Sequence, residues 1–215
     1  MIRYCSPRPR FACSPLVAIL LCTLVLLAGC GDEFVGPTAA GVIMPLKVGN
    51  QWIGRWTSFD PGAPRYDTLT IVSEVRKGNE LWFKGSDGNL YINRADGLWR
   101  YSESSESCAE ILLAKYPAAL NDTFGICTTT KQGGPGTYTY TDAVVTVAND
   151  TTITVPAGAY ACQAYKPVVA GPGRMGSDEI DRNYYAPNIG PVRKLYYSPI
   201  GMWVHVWELV SVTLR

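Results

Sequence analysis

From Trp52 to its end the chain alternates apolar and polar residues in short runs, cut by glycine, proline and Asp-Gly pairs. Leu69, Ile71, Ser73 and Val75 interleave with Thr68, Thr70, Val72, Glu74 and Arg76. A period of two places one set on each face, so this run predicts a half-buried strand. Residues 81–84, 89–93 and 98–101 are three more β-rich runs, separated by Asp87-Gly88 and Asp96-Gly97. Asp-Gly supplies the positive φ of a tight hairpin, so the three predict adjacent antiparallel strands. Lys77-Gly78-Asn79, Asn149-Asp150 and Pro156-Ala157-Gly158 predict further turns. Residues 110–116 fit either a short helix or a strand. Residues 123–129, 137–147, 151–155 and 160–168 read as strands. Residues 181–185 and 192–197 flank Ala186-Pro187-Asn188-Ile189-Gly190-Pro191, whose two prolines suit a hairpin tip or a sheet edge. Residues 202–214 form a last strand. The pattern predicts an all-β domain of about ten to twelve strands, an antiparallel meander in a strongly curved sheet or partly closed barrel.

One stretch breaks this pattern. Residues 16–27 are apolar apart from the mildly polar Cys22 and Thr23; Arg3, Arg8 and Arg10 precede them, and Leu27-Ala28-Gly29-Cys30 ends the run. A basic start, a short apolar core and small residues form a secretory signal. The core is too short for a bilayer, which needs about 20 residues. Leu27-Ala28-Gly29-Cys30 resembles the lipobox of bacterial lipoproteins. The resemblance implies a diacylglyceryl group on the Cys30 thiol, cleavage before that residue and acylation of the new amino terminus. Two or more acyl chains, at about 0.8 kcal/mol per buried CH₂, hold a protein to a membrane without a spanning helix. Gly31, rather than Asp, follows the cysteine; by resemblance to enterobacterial sorting this implies the outer membrane. The expected organisation is a signal peptide over 1–29, a lipidated cysteine with a flexible tether over 30–43, and a single β-rich domain over 44–215.

Cleavage leaves 186 of the 215 residues, enough for one domain with a sizeable core. The signal removes three of the 19 Lys and Arg and none of the 18 Asp and Glu, so the mature charge is 16 against 18, or −2. With no basic run or patch, there is no electrostatic case for nucleic acid. Beyond Cys30 the cysteines are Cys108, Cys127 and Cys162. An odd number in an oxidising compartment predicts one disulfide and one leftover thiol. Of the three pairings, Cys108 with Cys127 needs only a local return of the chain and leaves Cys162 as a small buried residue of a strand.

Three stretches follow one another in order: residues 45–52 (Pro-Leu-Lys-Val-Gly-Asn-Gln-Trp), Thr154-Val155-Pro156-Ala157-Gly158, and residues 184–192 (Tyr-Tyr-Ala-Pro-Asn-Ile-Gly-Pro-Val). Together they resemble a family of uncharacterised bacterial envelope lipoproteins related to domains of unknown function. The resemblance implies an antiparallel, partly closed sheet and supplies no catalytic residue.

Chemistry-bearing motifs are scarce. His205 is the sole histidine, on a strand face with Trp203, Trp207 and Leu209. As a general base it could serve an envelope hydrolase, but no Gly-x-Ser-x-Gly elbow accompanies it, and a hydrogen-bonded histidine among aromatics is the plainer reading. Neither a CxxC pair nor HExxH is present for zinc, and no cofactor is implied. Ser177-Asp178-Glu179-Ile180-Asp181 lacks the alternation and turning glycine of a calcium loop. What remains is the aromatic load of the strands. Trp52, Trp56, Trp203, His205 and Trp207 are the candidate ligand-binding set; catalytic and metal residues are none. The leading expectation is a non-enzymatic, lipid-anchored envelope protein that binds a hydrophobic ligand or a partner protein. A hydrolase using His205 and a structural or assembly subunit are the alternatives.

Overall fold

A computed structural model describes residues 41–58, 63–103, 108–133, 136–170, 181–197 and 204–215. The signal segment, Cys30, most of the tether, the loop over 171–176 and Trp203 lie outside them, as does most of the acidic stretch over 177–181. The described residues belong to one compact unit, Ala39–Arg215. They contain twelve strands and no helix: β1 (Gln51–Ser58), β2 (Arg65–Lys77), β3 (Glu80–Gly85), β4 (Leu90–Arg94), β5 (Gly97–Tyr101), β6 (Glu110–Lys115), β7 (Thr123–Gly133), β8 (Gly136–Val155), β9 (Gly158–Ala170), β10 (Arg182–Ala186), β11 (Gly190–Tyr197) and β12 (Val204–Thr213).

All twelve belong to a single antiparallel sheet in the order β6-β5-β4-β3-β2-β1-β12-β11-β10-β9-β8-β7. Each strand neighbours the next in sequence, except where β1 meets β12 in mid-sheet, from Gln51 opposite Thr213 to Ser58 opposite His205. The two edges, β6 and β7, are consecutive in the chain and come together to make a nearly closed barrel. Their seam has no backbone ladder among the described residues. Instead, a disulfide joins Cys108 to Cys127 across it. The Tyr165 hydroxyl donates to the Lys115 carbonyl at 2.6 Å. Gly125, at φ 59°, lies so close to the Leu112 carbonyl that a Cβ would stand 2.6 Å from it.

The two ends of the barrel differ. At one end, residues 41–50 cross the sheet before β1: Ile43 and Met44 are buried, the Asn93 amide donates to the Met44 carbonyl at 2.8 Å, and Asn188 N donates to the Val42 carbonyl at 2.8 Å. Trp52, Ile71, Leu98, Tyr165, Val192 and Leu209 continue this core. At the other end, where Ser58, Arg65, Tyr197 and Val204 terminate their strands, charged and aromatic residues stand between the walls. Trp82 is fully buried without joining the lumen core. Lys77 and Arg94 cover its ring at 5.7 and 5.3 Å, so cationic stems close off part of the outer apolar face.

The structure departs from sequence expectation at three points. Residues 110–116, open between helix and strand, form β6, because alternate Leu112 and Ala114 enter the core. Asn149-Asp150 does not reverse the chain. Asp150 takes φ 57°, and the 137–147 and 151–155 runs join as the single strand β8, with bulges between Thr146 and Thr151 along its pairing with β9. Pro191 is at neither a tip nor an edge; it is buried in the internal strand β11, next to a bulge at Val192 in the pairing of that strand with β10.

Candidate functional site

The open end is built on a cross-strand row. Trp56 of β1 pairs with Trp207 of β12, and Trp207 pairs with Lys194 of β11. Gly54, opposite a bulge in β12 at Val210, makes room for the row: a Cβ there would overlap the Trp207 indole. Free to lie across Gly54, that indole reaches Asp67, the β2 residue opposite Gly54, and its Nε1–H donates to Oδ1 at 2.6 Å. Trp56 Nε1–H donates to Oδ2 of the same carboxylate at 2.9 Å. One aspartate therefore holds two indoles in fixed planes. Tyr196 extends the aromatic surface, its ring 5.7 Å from that of Trp56.

A cleft lies on each side of this pair. One, of about 350 Å³, is lined by Trp56, Thr57, Ser58, Arg65 and His205. The other, of about 230 Å³, enters the lumen between Asp67, Ser86, Asp87, Tyr91, Lys194 and Trp207. Strand parity accounts for Lys194. Arg193 and Lys194 are adjacent, so one must face inward; Arg193 lies 3.7 Å from Glu208 on the outer face, where Arg55 also reaches that carboxylate at 3.2 Å. Lys194 consequently projects into the lumen, its Nζ 5.3 Å from the Trp207 ring centre. Burial holds its pKa below the ordinary lysine value; the charges of Asp67 and Asp87 pull it back up, and that of Arg100 pushes it down. Across the cleft, the Tyr91 hydroxyl donates to Asp87 Oδ2 at 2.5 Å. Burial first, and that bond second, push the Tyr91 pKa up.

The candidate residues of the sequence separate in space. Trp56, His205 and Trp207 meet around the two clefts, whereas Trp52 lies at the plugged end. It is fully buried, donates to the Ile189 carbonyl at 2.6 Å and lines neither cleft. His205 is exposed on the cleft rim, and neither a hydrogen bond nor an acid partner for its imidazole is found among the described residues. No group of three or more His, Cys, Asp and Glu among the described residues is placed to hold a metal. Cys162 is a free, buried thiol. Asp67, Asp87, Tyr91, Arg100 and Lys194 went unremarked in the sequence. Asp87 reads as half of an Asp-Gly turn, and the others carry no local motif.

No protein-family model matches the chain, and no curated protein matches it either. Two crystal structures are similar in fold. One is a protein described as exported, with a YmcC-like fold, from Bacteroides fragilis: 16% identity, 82% of this chain and 100% of that chain covered, TM-score 0.45. The other is described as a lipoprotein, from Parabacteroides distasonis: 11% identity, 82% and 100% covered, TM-score 0.41. No residue role is taken from either.

Proposed function

We propose that this chain is a lipid-anchored protein of the bacterial envelope, held in the outer membrane through Cys30, whose barrel binds a small amphipathic ligand at its open end. The anchor rests on the basic start, the short apolar core and Leu27-Ala28-Gly29-Cys30. The binding role rests on one observation: Asp67 fixes the indoles of Trp56 and Trp207 beside two clefts. Indoles locked by a shared acceptor present apolar area at little cost in conformational entropy. The polar rim, with Arg65, Ser58 and His205, then suits a ligand that is apolar at one end and polar at the other.

Denaturing extraction of the protein purified from membranes, followed by mass spectrometry, tests the binding role. A stoichiometric small molecule, lost in Trp56→Ala while the fold persists, is the expected result. A wild-type protein that releases nothing, or that co-purifies with another envelope protein independently of Trp56, overturns it. For the anchor, Cys30→Ser should abolish labelling by radioactive palmitate and release the domain from membranes; continued labelling refutes it.

A further inference from the structure

Lys194 brings a primary amine into the lumen with unoccupied space beside it. Its ammonium has no ion pair or hydrogen bond among the described residues; its nearest assigned contact is the face of Trp207. The groups facing it are Asp67 on β2, Asp87 in the β3–β4 turn, Tyr91 on β4, Arg100 on β5 and Trp207 on β12. Both carboxylates are bonded to other donors: Asp67 to the two indoles, and Asp87 to the Tyr91 hydroxyl and, at 2.8 Å, to the Asn89 amide. They act on the lysine charge without closing on it. The space beyond the amine, about 230 Å³, suits a molecule of a dozen or so heavy atoms.

We propose that Lys194 is a covalent attachment point for a small carbonyl compound, an aldehyde or ketone, held in this cleft as a Schiff base. The amine lone pair forms a bond to the carbonyl carbon while the C=O π pair moves to oxygen, and a proton passes from nitrogen to oxygen to give a carbinolamine. Loss of the hydroxyl as water, with a proton from solvent, leaves the C=N bond protonated on nitrogen. No oxidant or reductant is required. Asp67 and Asp87 on the lining disfavour capture of a free anion, although Arg100 also faces the amine. The same carboxylates are counter-charges for an iminium cation, and the Trp207 face packs against it. Burial of the amine adds to this, because a larger fraction is unprotonated near neutral pH than in a solvated lysine. The cleft is distinct from the one beside Trp56 and His205, so this assignment stands or falls apart from the ligand reading above.

The test treats the purified full-length protein with benzaldehyde and sodium cyanoborohydride at pH 7, and follows intact mass and tryptic peptides. Lys194 should be alkylated faster than every other lysine. Lys194→Arg should abolish that fast phase with unchanged near-ultraviolet circular dichroism, and urea should erase the preference in the wild type. Labelling of Lys194 no faster than that of the other lysines, or a preference that survives in urea, overturns the proposal.

Discussion

Gly54 sets the position of Trp207 and, through it, the grip of Asp67 on both indoles. A methyl at this position must displace a packed indole, and overpacking of this kind costs about 1–3 kcal/mol. Gly54→Ala should therefore lower the urea midpoint by an amount in that range and shift tryptophan emission; an unchanged midpoint would show that the indole lies elsewhere. Cys162 is the second informative residue. It is 1% exposed, and burial pushes its thiol up to about 12. Native protein should resist a disulfide reagent at pH 8 and react with it once unfolded. A folded pKa raised above 9.0 also means that the thiol's contribution to stability is complete below about pH 9 and is lost as pH rises toward 12. Cys162→Ala should flatten that part of the stability profile.

At the scale of the element, the seam between β6 and β7 is where the barrel departs from a regular ladder. Every other neighbouring pair is tied by backbone hydrogen bonds. The β6/β7 edges depend on the Cys108–Cys127 disulfide, the Tyr165 bond and side-chain packing. A bridge spanning 19 positions constrains the unfolded chain by about 3 kcal/mol. Replacing both cysteines by serine should lower stability by about that amount, measured by urea denaturation. Amide exchange should accelerate first in β6 and the first half of β7, while the β1–β12 pairing stays protected. Uniform acceleration across all strands would show that the seam is not the weak line of the sheet.

For the whole molecule, alkaline pH acts on two groups of residues with opposite sign. Tyr91, Tyr165 and Tyr185 are inside the barrel, and burial raises their pKa values above the ordinary 10.0. Their contribution is complete below about pH 10 and is lost as pH rises beyond it, because the unfolded chain ionises first. Lys194 has a folded pKa below the ordinary 10.5, so the unfolded chain holds its proton longer and stability rises with pH up to about 10.5. The stability profile should climb through the mildly alkaline range and fall steeply above pH 10. Lys194→Met should remove the climb and leave the fall, as urea midpoints across pH 7–11 would show.

Period-two alternation and Asp-Gly turns were enough to read an all-β meander, because strand faces and tight hairpins are decided by neighbours a few residues apart. The Leu-Ala-Gly-Cys stretch likewise holds its own local pattern. The open end was only partly legible. Trp56, Trp207 and His205 stand out by residue type, yet Trp52 stands out equally and belongs to the core, since parity alone does not say how deep along a barrel a residue lies. Asp67, Asp87, Tyr91 and Lys194 are ordinary residues of strands and a turn, distant in sequence. The sequence by itself determined strands and turns. Closure of the sheet decided the rest, because only the pairing of β1 with β12 brings Asp67 under two indoles and turns Lys194 toward Asp87 across a lumen.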